Sequence, residues 1–414
     1  MTTIQESPLS PAEPVRGTRQ RLDHIDAMRP VKQVGVVSTH TLLFFAPAAA
    51  GLAAGASLLL LHVTREAFLF VSACMLTYSC RDLIKVELRP FWRRRFLLVG
   101  IPYLCWTLIY FFFTLPNANT SSVAGAVGHL GYLTATGYYQ LYYLLVILEF
   151  YLLFPLLFLL LRRTVGHHGA LLAASGAIQV MLVSAMHWQV LPGLMQGFWA
   201  TREVTSYQFY LLAGMVIALH LDEVHAWLIA HTRSVLAFTL GSALVAEGWY
   251  FLAAHHVVPG LGTADDPFQP IVIPFNIGAI AAIYLLGVWL VGKRRSHRTR
   301  SVVRSGSDNS YGVYLAQLLF IGILSGLGWK HLNGAVPWPI VCLITVVLVY
   351  AACVALTELL ARTSLAKPLT GRTRVPWRTG TPAPPATTPA ASPRSPARVS
   401  APVESPVTVD LTSG

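Results

Sequence analysis

The chain has 414 residues, of which 54% are hydrophobic and only 12% charged, with a mean hydropathy of +0.57. Soluble proteins carry about 25% charged residues. This one lacks the polar surface to cover a soluble globule, which excludes a toxin-like secreted scaffold, a disordered chain and a cytosolic enzyme. Thirty Lys and Arg against eighteen Asp and Glu give a net charge of +12, but these charges fall in the gaps between apolar stretches. They read as membrane orientation, and no nucleic-acid partner is expected.

Residues 1–28 form a polar N-terminal segment, too long and too weakly basic for the charged start of a signal peptide. Ten apolar segments follow, each near the ~20 residues a spanning helix needs. They lie at 30–48, 56–80, 96–115, 141–161, 169–187, 205–221, 233–254, 271–292, 310–329 and 337–360. Pro47, Gly51 and Gly55 soften the junction of the first two. No internal repeat is visible. The five cysteines (Cys74, Cys80, Cys105, Cys342 and Cys353) lie inside apolar stretches without metal-type or ladder spacing, and read as buried free thiols.

Charge placement tests this count. Arg16, Arg19, Arg21, Arg29 and Lys32 precede or open the first segment. Arg81, Lys85, Arg89 and Arg93 to Arg95 fill the gap after the second. Arg162 and Arg163 follow the fourth, Arg233 follows the sixth, and Lys293, Arg294, Arg295, Arg298, Arg300 and Arg304 follow the eighth. The alternate gaps hold only Arg65, Arg202 and Lys330. By the positive-inside rule both termini are expected in the cytoplasm, and ten helices fit without adjustment. The expected architecture is an all-α polytopic membrane helical bundle over residues 29–362. From residue 363 the composition shifts to Pro, Ala, Thr, Ser and Arg. Residues 363–414 are expected to be a disordered cytoplasmic tail whose arginines can touch anionic lipid.

Ionisable side chains at membrane depth are candidates for function. His40 lies eleven residues after Arg29, about 16 Å of helix rise and within ~20° of the same face. Lys32, Gln33 and Val36 lie between them, so this face is polar on its cytoplasmic half. One polar face running from guanidinium to imidazole suggests the wall of a wet cavity. Pro30 biases Arg29 away from the α region, so Arg29 is open to being a cap. An imidazole held away from water can accept the proton of an alcohol; the alternative is a structural histidine bonded between helices.

At this point the residues resemble a family. Asp26-Ala27-Met28-Arg29, ten residues and His40 are similar to the opening of the acyltransferase 3 family, integral-membrane enzymes with an Arg-x10-His signature in the first helix. Phe68 to Leu76 resembles the family's FFxxSGFLL helix. Arg93-Arg94-Arg95-Phe96-Leu97 with Pro102, Tyr103 and Trp106 resembles its basic loop and third helix. Tyr142 to Pro155, Phe209 to Met215 and Ser310 to Leu315 resemble three further segments, in family order across roughly residues 21–360. Three positions depart: Ala73 stands for a usual Gly, Pro30 for a small or apolar residue, and Gln317 for a frequent His. The family's commonly fused SGNH hydrolase-like domain is not expected after residue 360, so the resemblance is to the stand-alone type.

The resemblance implies an O-acyltransferase moving an acyl group from acyl-CoA, as co-substrate, to a hydroxyl of a sugar, lipid-linked glycan, lipid or antibiotic. No tightly bound cofactor and no metal are expected. His40 would be general base or acyl relay, and Arg29 would hold the CoA donor. Arg93, Arg94 and Arg95 are donor-binding candidates, Arg forks suiting phosphates; the alternative is topogenic charge against lipid headgroups. Gln33, Glu149 and Gln317 are candidate polar residues of the cavity, Glu149 being read as structural. Arg65 and Glu66 are read as snorkelling or paired. His129, His187, His255 and His256 with Asp265 and Asp266 are read as solvated outer loop. Ser307-Asp308-Asn309 and Ser364-x-x-Lys367 mimic β-lactamase motifs in reversed order, and no GxSxG or His-x4-Asp occurs. A second class, a proton-coupled secondary transporter using His40, is disfavoured by the missing repeat. Ala- and Arg-rich composition points to the plasma membrane of a high-GC bacterium.

Overall fold

The computed structural model describes residues 22–83, 86–117, 122–191, 193, 197–257, 264, 266–292 and 296–376. The expected polar segment up to residue 21, Lys85, Asp265, Lys293 to Arg295 and the tail from residue 377 lie outside the described residues. Among those described, the fold is all α, joined by short 3-10 turns and without a strand.

The helices are α1 (Asp23–Phe45), α2 (Gly51–Leu61), α3 (Val63–Cys80), α4 (Leu88–Thr114) and α5 (Val123–Thr136). Then come α6 (Tyr142–Arg163), α7 (His168–His187), α8 (Gly197–Ala200), α9 (Gln208–Leu219) and α10 (Leu221–Ala230). The last five are α11 (Thr232–Ala254), α12 (Ile273–Val291), α13 (His297–Gly326), α14 (Trp338–Ala361) and α15 (Ala366–Thr370). Each of the ten apolar segments carries helix. Among the described residues seven spans are long and apolar enough to cross a membrane, or eight if α9 and α10, bent by 97° at their junction, count as one.

α5, α8 and α15 are too short to span, whereas α1 and α13 are long enough and fail on composition. α1 buries Lys32, Gln33, Thr39 and Thr41, and α13 buries Ser307, Asn309, Ser310 and Gln317. These polar groups turn inward. α1 packs on α12, α13 and α14, and α13 packs on α14, so the most polar helices stand at the centre of the bundle. The large apolar side chains left exposed belong to outer helices, such as Leu104 and Phe112 on α4, Leu240 and Leu244 on α11, and Leu343 and Val347 on α14. That is the arrangement lipid favours, with polar groups paid for by neighbours rather than hydrocarbon. Close helix approach is bought with small residues: a Cβ at Gly214 of α9 would run into the Phe70 carbonyl of α3.

Several boundaries differ from the sequence reading. α1 begins at Asp23 and runs through Pro30, so Arg29 is helical and no cap; Leu22, Ile25 and Met28 are buried, and the helical domain starts before residue 29. The second segment is two helices meeting at His62. α5 and α10 were not foreseen. Residues 363–376, assigned to the tail on composition, are folded: Leu369 O accepts from Trp106 Nε1 at 2.9 Å, Arg372 Nη1 reaches Glu358 Oε1 at 3.2 Å, and Val375 N donates to Ala361 O at 2.8 Å.

Candidate active site

Arg29, Gln33, Val36 and His40 recur at steps of four, three and four residues, so they share one face of α1. Two cavities lie along it. The inner one, about 450 Å³, is lined by Asp26, Arg29, Ser72, Ser79, Arg95 and Tyr151, among others. Asp26 Oδ1 holds Arg29 Nη1 at 3.4 Å, and the Arg29 side chain stays 36% exposed. Arg95 stands 5.8 Å from the Phe91 ring and 5.7 Å from that of Tyr151. Trp92 Nε1 donates to Tyr151 O at 3.1 Å, pinning α4 to α6 beside it.

The outer cavity, about 620 Å³, holds His40. Its Nδ1 is buried and has no hydrogen-bond partner among the described residues, and its ring meets Tyr139 edge-on at 6.4 Å. The turn that brings Tyr139 there is strained. Gly137 takes φ 74° and Tyr139 φ 40°, and a left-handed tyrosine persists only where its surroundings enforce it. A Cβ at Gly137 would run into the Tyr142 backbone, so glycine is required. His62, Arg65, His129, Tyr142 and Arg202 line the same cavity.

The two arginines differ. Arg65 Nη2 pairs with Glu66 Oε1 at 2.8 Å, both side chains buried, and lies between the rings of Tyr207 (5.2 Å) and Phe268 (4.7 Å). Arg202 has no carboxylate among the described residues. Its Nε donates to Thr136 O at 3.0 Å, and its Nη1 to Phe198 O at 2.8 Å and Thr201 Oγ1 at 3.0 Å. Partial burial lowers the Arg202 pKa from its ordinary value, but a guanidinium remains charged at any physiological pH.

Three rings of the outer wall form one cluster. Phe68 lies 5.3 Å from Tyr143 and 5.6 Å from Tyr314, with 6.0 Å between the two tyrosines. Lys32 Nζ stands 3.9 Å over the Phe68 ring. Phe68 lines the outer cavity and Ser72, one helical turn further along α3, lines the inner one. Tyr314 donates to the Gln140 carbonyl, which ties the cluster to the turn before α6. The polar face of α1 is therefore shared by two cavities with no lining residue in common, rather than forming one continuous wet wall.

The other candidates distribute as follows. Of the three successive arginines only Arg95 lines the inner cavity; Arg93 and Arg94 are exposed away from it. Gln33 and Gln317 are fully buried but line neither cavity. Gln33 has no partner for either amide atom, and Gln317 Nε2 reaches only Tyr314 O at 3.4 Å. Glu149 Oε2 accepts from Val204 N at 2.9 Å, a structural bond to the turn before α9. Three outer residues read as solvated are not: His129 lines the cavity, and buried His187 bonds Asp266 through Nδ1 at 2.9 Å. His255 and His256 are exposed at the end of α11. Among the described residues no group of three His, Cys, Asp or Glu is placed to hold a metal ion. His62, Arg202 and the cavity's tyrosines escaped sequence reasoning. The signal was present in His62-x2-Arg65 and in the tyrosine pairs at 138–139 and 142–143, four residues apart.

Fold and site together define a multi-pass membrane protein in which a central polar helix presents an arginine and a histidine to two internal chambers. A family model described as "acyltransferase domain" matches residues 22–357, from the residue before α1 to the last turns of α14. The chain belongs to that family, the acyltransferase 3 family of the motifs above, which makes it in general terms a membrane acyltransferase. Searches among curated proteins and among solved structures return no match.

Proposed function

We propose that this chain is an integral-membrane O-acyltransferase that takes an acyl group from acyl-CoA in the inner chamber and delivers it to an acceptor hydroxyl in the outer one. The observation that carries this reading is that Arg29 and His40, on one face of one helix, open into separate chambers that share no lining residue. Arg29 and Arg95 supply forked donors suited to the CoA phosphates. His40, with Nδ1 free of partners among the described residues, accepts the hydroxyl proton as the oxygen attacks the thioester carbonyl. Collapse of the tetrahedral intermediate breaks the C–S bond, and the imidazolium returns the proton to the CoA thiolate. In the relay variant, a ring nitrogen of His40 attacks the thioester carbonyl and the C–S bond breaks to release the CoA thiolate; the acceptor oxygen then attacks the acyl-imidazole, the N–C(acyl) bond breaks, and the hydroxyl proton passes to the thiolate.

The reading includes ten spanning segments, both termini and the inner chamber on the cytoplasmic side, and residence in a bacterial plasma membrane. Its support is the placement of the basic residues and the inward polarity of α1 and α13. The acceptor is a sugar, lipid-linked glycan, lipid or antibiotic-type hydroxyl.

The test is transfer from radiolabelled acyl-CoA to the lipid and glycan fractions of membranes containing the protein, wild type beside His40→Ala. Label transferred by the wild type and lost in a variant that still inserts is the expected result. Label that persists in the variant removes His40 from the chemistry. No transfer from any common acyl-CoA, with proton-coupled uptake in vesicles, would make the protein a transporter instead.

A further inference from the structure

We infer that Arg202 is the docking point for an anionic group, a phosphate or carboxylate, carried by the acceptor itself, so that the substrate of the outer chamber is an acidic sugar or sugar phosphate. This rests on the acyltransferase reading and narrows its acceptor class.

The argument begins with charge. Among the described residues no Asp or Glu lines the outer cavity, whereas two arginines do. Arg65 is neutralised by Glu66 at 2.8 Å, which leaves Arg202 as the charge without a counter-ion among the described residues. Its bonding is only part used. A guanidinium has five N–H donors; Nε and Nη1 reach Thr136 O, Phe198 O and Thr201 Oγ1, while Nη2 has no partner among the described residues. The group is also held in place, 3.4 Å over the Phe198 ring and 4.9 Å from the Tyr142 ring. A fixed, charged fork with spare donors in a chamber without carboxylates is the chemistry that recognises a phosphate or carboxylate. The walls complete the pattern. Tyr132, Tyr138, Tyr139 and Tyr142 with Phe198 offer flat faces and hydroxyls, surfaces on which the C–H face of a sugar stacks while its hydroxyls find partners.

The experiment supplies radiolabelled acyl-CoA and the glycan and lipid-linked glycan fraction of the host membranes to the protein in phosphatidylcholine vesicles, which carry no anionic headgroup. Labelled product, freed of acyl-CoA and free acid, is passed over an anion exchanger. The expected product is retained by the exchanger. Arg202→Gln is expected to raise the acceptor KM roughly ten- to a hundredfold, with the donor KM near wild type. Arg202→Lys keeps the charge and should recover most of the acceptor affinity, although it cannot reproduce the bonds to Thr136 and Phe198. A neutral product overturns the inference. So does a lysine variant as impaired as the glutamine one, which would make Arg202 structural, or a rise in donor KM instead, which would assign the guanidinium to CoA. All of these leave the acyltransferase reading intact; absence of any labelled product from folded wild-type protein sinks both.

Discussion

The two chambers on α1 are walled by different chemistry. The inner one is ionic and hydroxylic, with Arg29, its partner Asp26, Arg95, Ser72 and Ser79. The outer one is aromatic and imidazole-rich, with no carboxylate in its lining among the described residues. An ionic wall open to water suits a long, highly charged donor headgroup, whose charges are gripped and released. A wall of rings with a few polar atoms suits a compact polyhydroxyl molecule that must be oriented. Between them in sequence lies a single turn of α3: Phe68, clustered with Tyr143 and Tyr314 at 5.3 to 6.0 Å between ring centroids, lines the outer chamber, and Ser72 lines the inner one.

The sharpest way to break the comparison is at His40. Replacing it by Ala is expected to lower acyl transfer by roughly 10²- to 10⁴-fold, the range for a general base, without loss of the inserted protein; labelled transfer per molecule of folded protein checks it. Next is Arg29→Gln. If the inner chamber serves the donor alone, the donor KM should rise about tenfold or more while the acceptor KM holds. Arg95→Gln should move the same constant less, since its ring contacts are lost with it. A variant at either arginine that changes only the acceptor KM would dissolve the division of labour between the chambers. Glu149→Ala comes third. Its one bond, to Val204 N, is worth about 1 kcal/mol, so thermal stability should fall modestly, and transfer per folded molecule should stay within about twofold. A loss of transfer comparable to that of His40→Ala would make Glu149 a partner in the chemistry.

Much of the fold was legible because membrane helices obey a one-dimensional rule, apolar length between basic gaps. Each of the ten segments carries helix for that reason. The same rule misplaced the ends. Asp23 to Met28 read as polar because half of them are charged or His, yet Ile25, Ala27 and Met28 face inward and the helix starts there. α5 and α10 are short and packed by tertiary contact, which hydropathy does not register. The site was half legible. Arg29 and His40 stand eleven residues apart on a helix, and helical geometry alone puts them on one face. His62 with Arg65, His129 and Arg202 come from three different places in the chain, and only the packing of α3, α5 and the segment before α9 brings them into the cavity of His40. Beyond the His62-x2-Arg65 pair, residue spacing carries no trace of that convergence.

The smallest effect belongs to Arg93 and Arg94. A run of three arginines looks like one phosphate site, but on α4 each successive residue turns by ~100°, so three neighbours cannot face one chamber. Arg95 turns inward beside Tyr151, while Arg93 and Arg94 turn out. Arg93→Gln and Arg94→Gln should therefore leave the donor KM within about twofold of wild type, with any change appearing instead in how much protein inserts with the proper orientation. The pair is best measured side by side with Arg95→Gln in the same membranes. A donor KM that rises equally for all three would mean the CoA headgroup spreads over the whole basic surface of α4, and the inner chamber would then be only the mouth of its binding site.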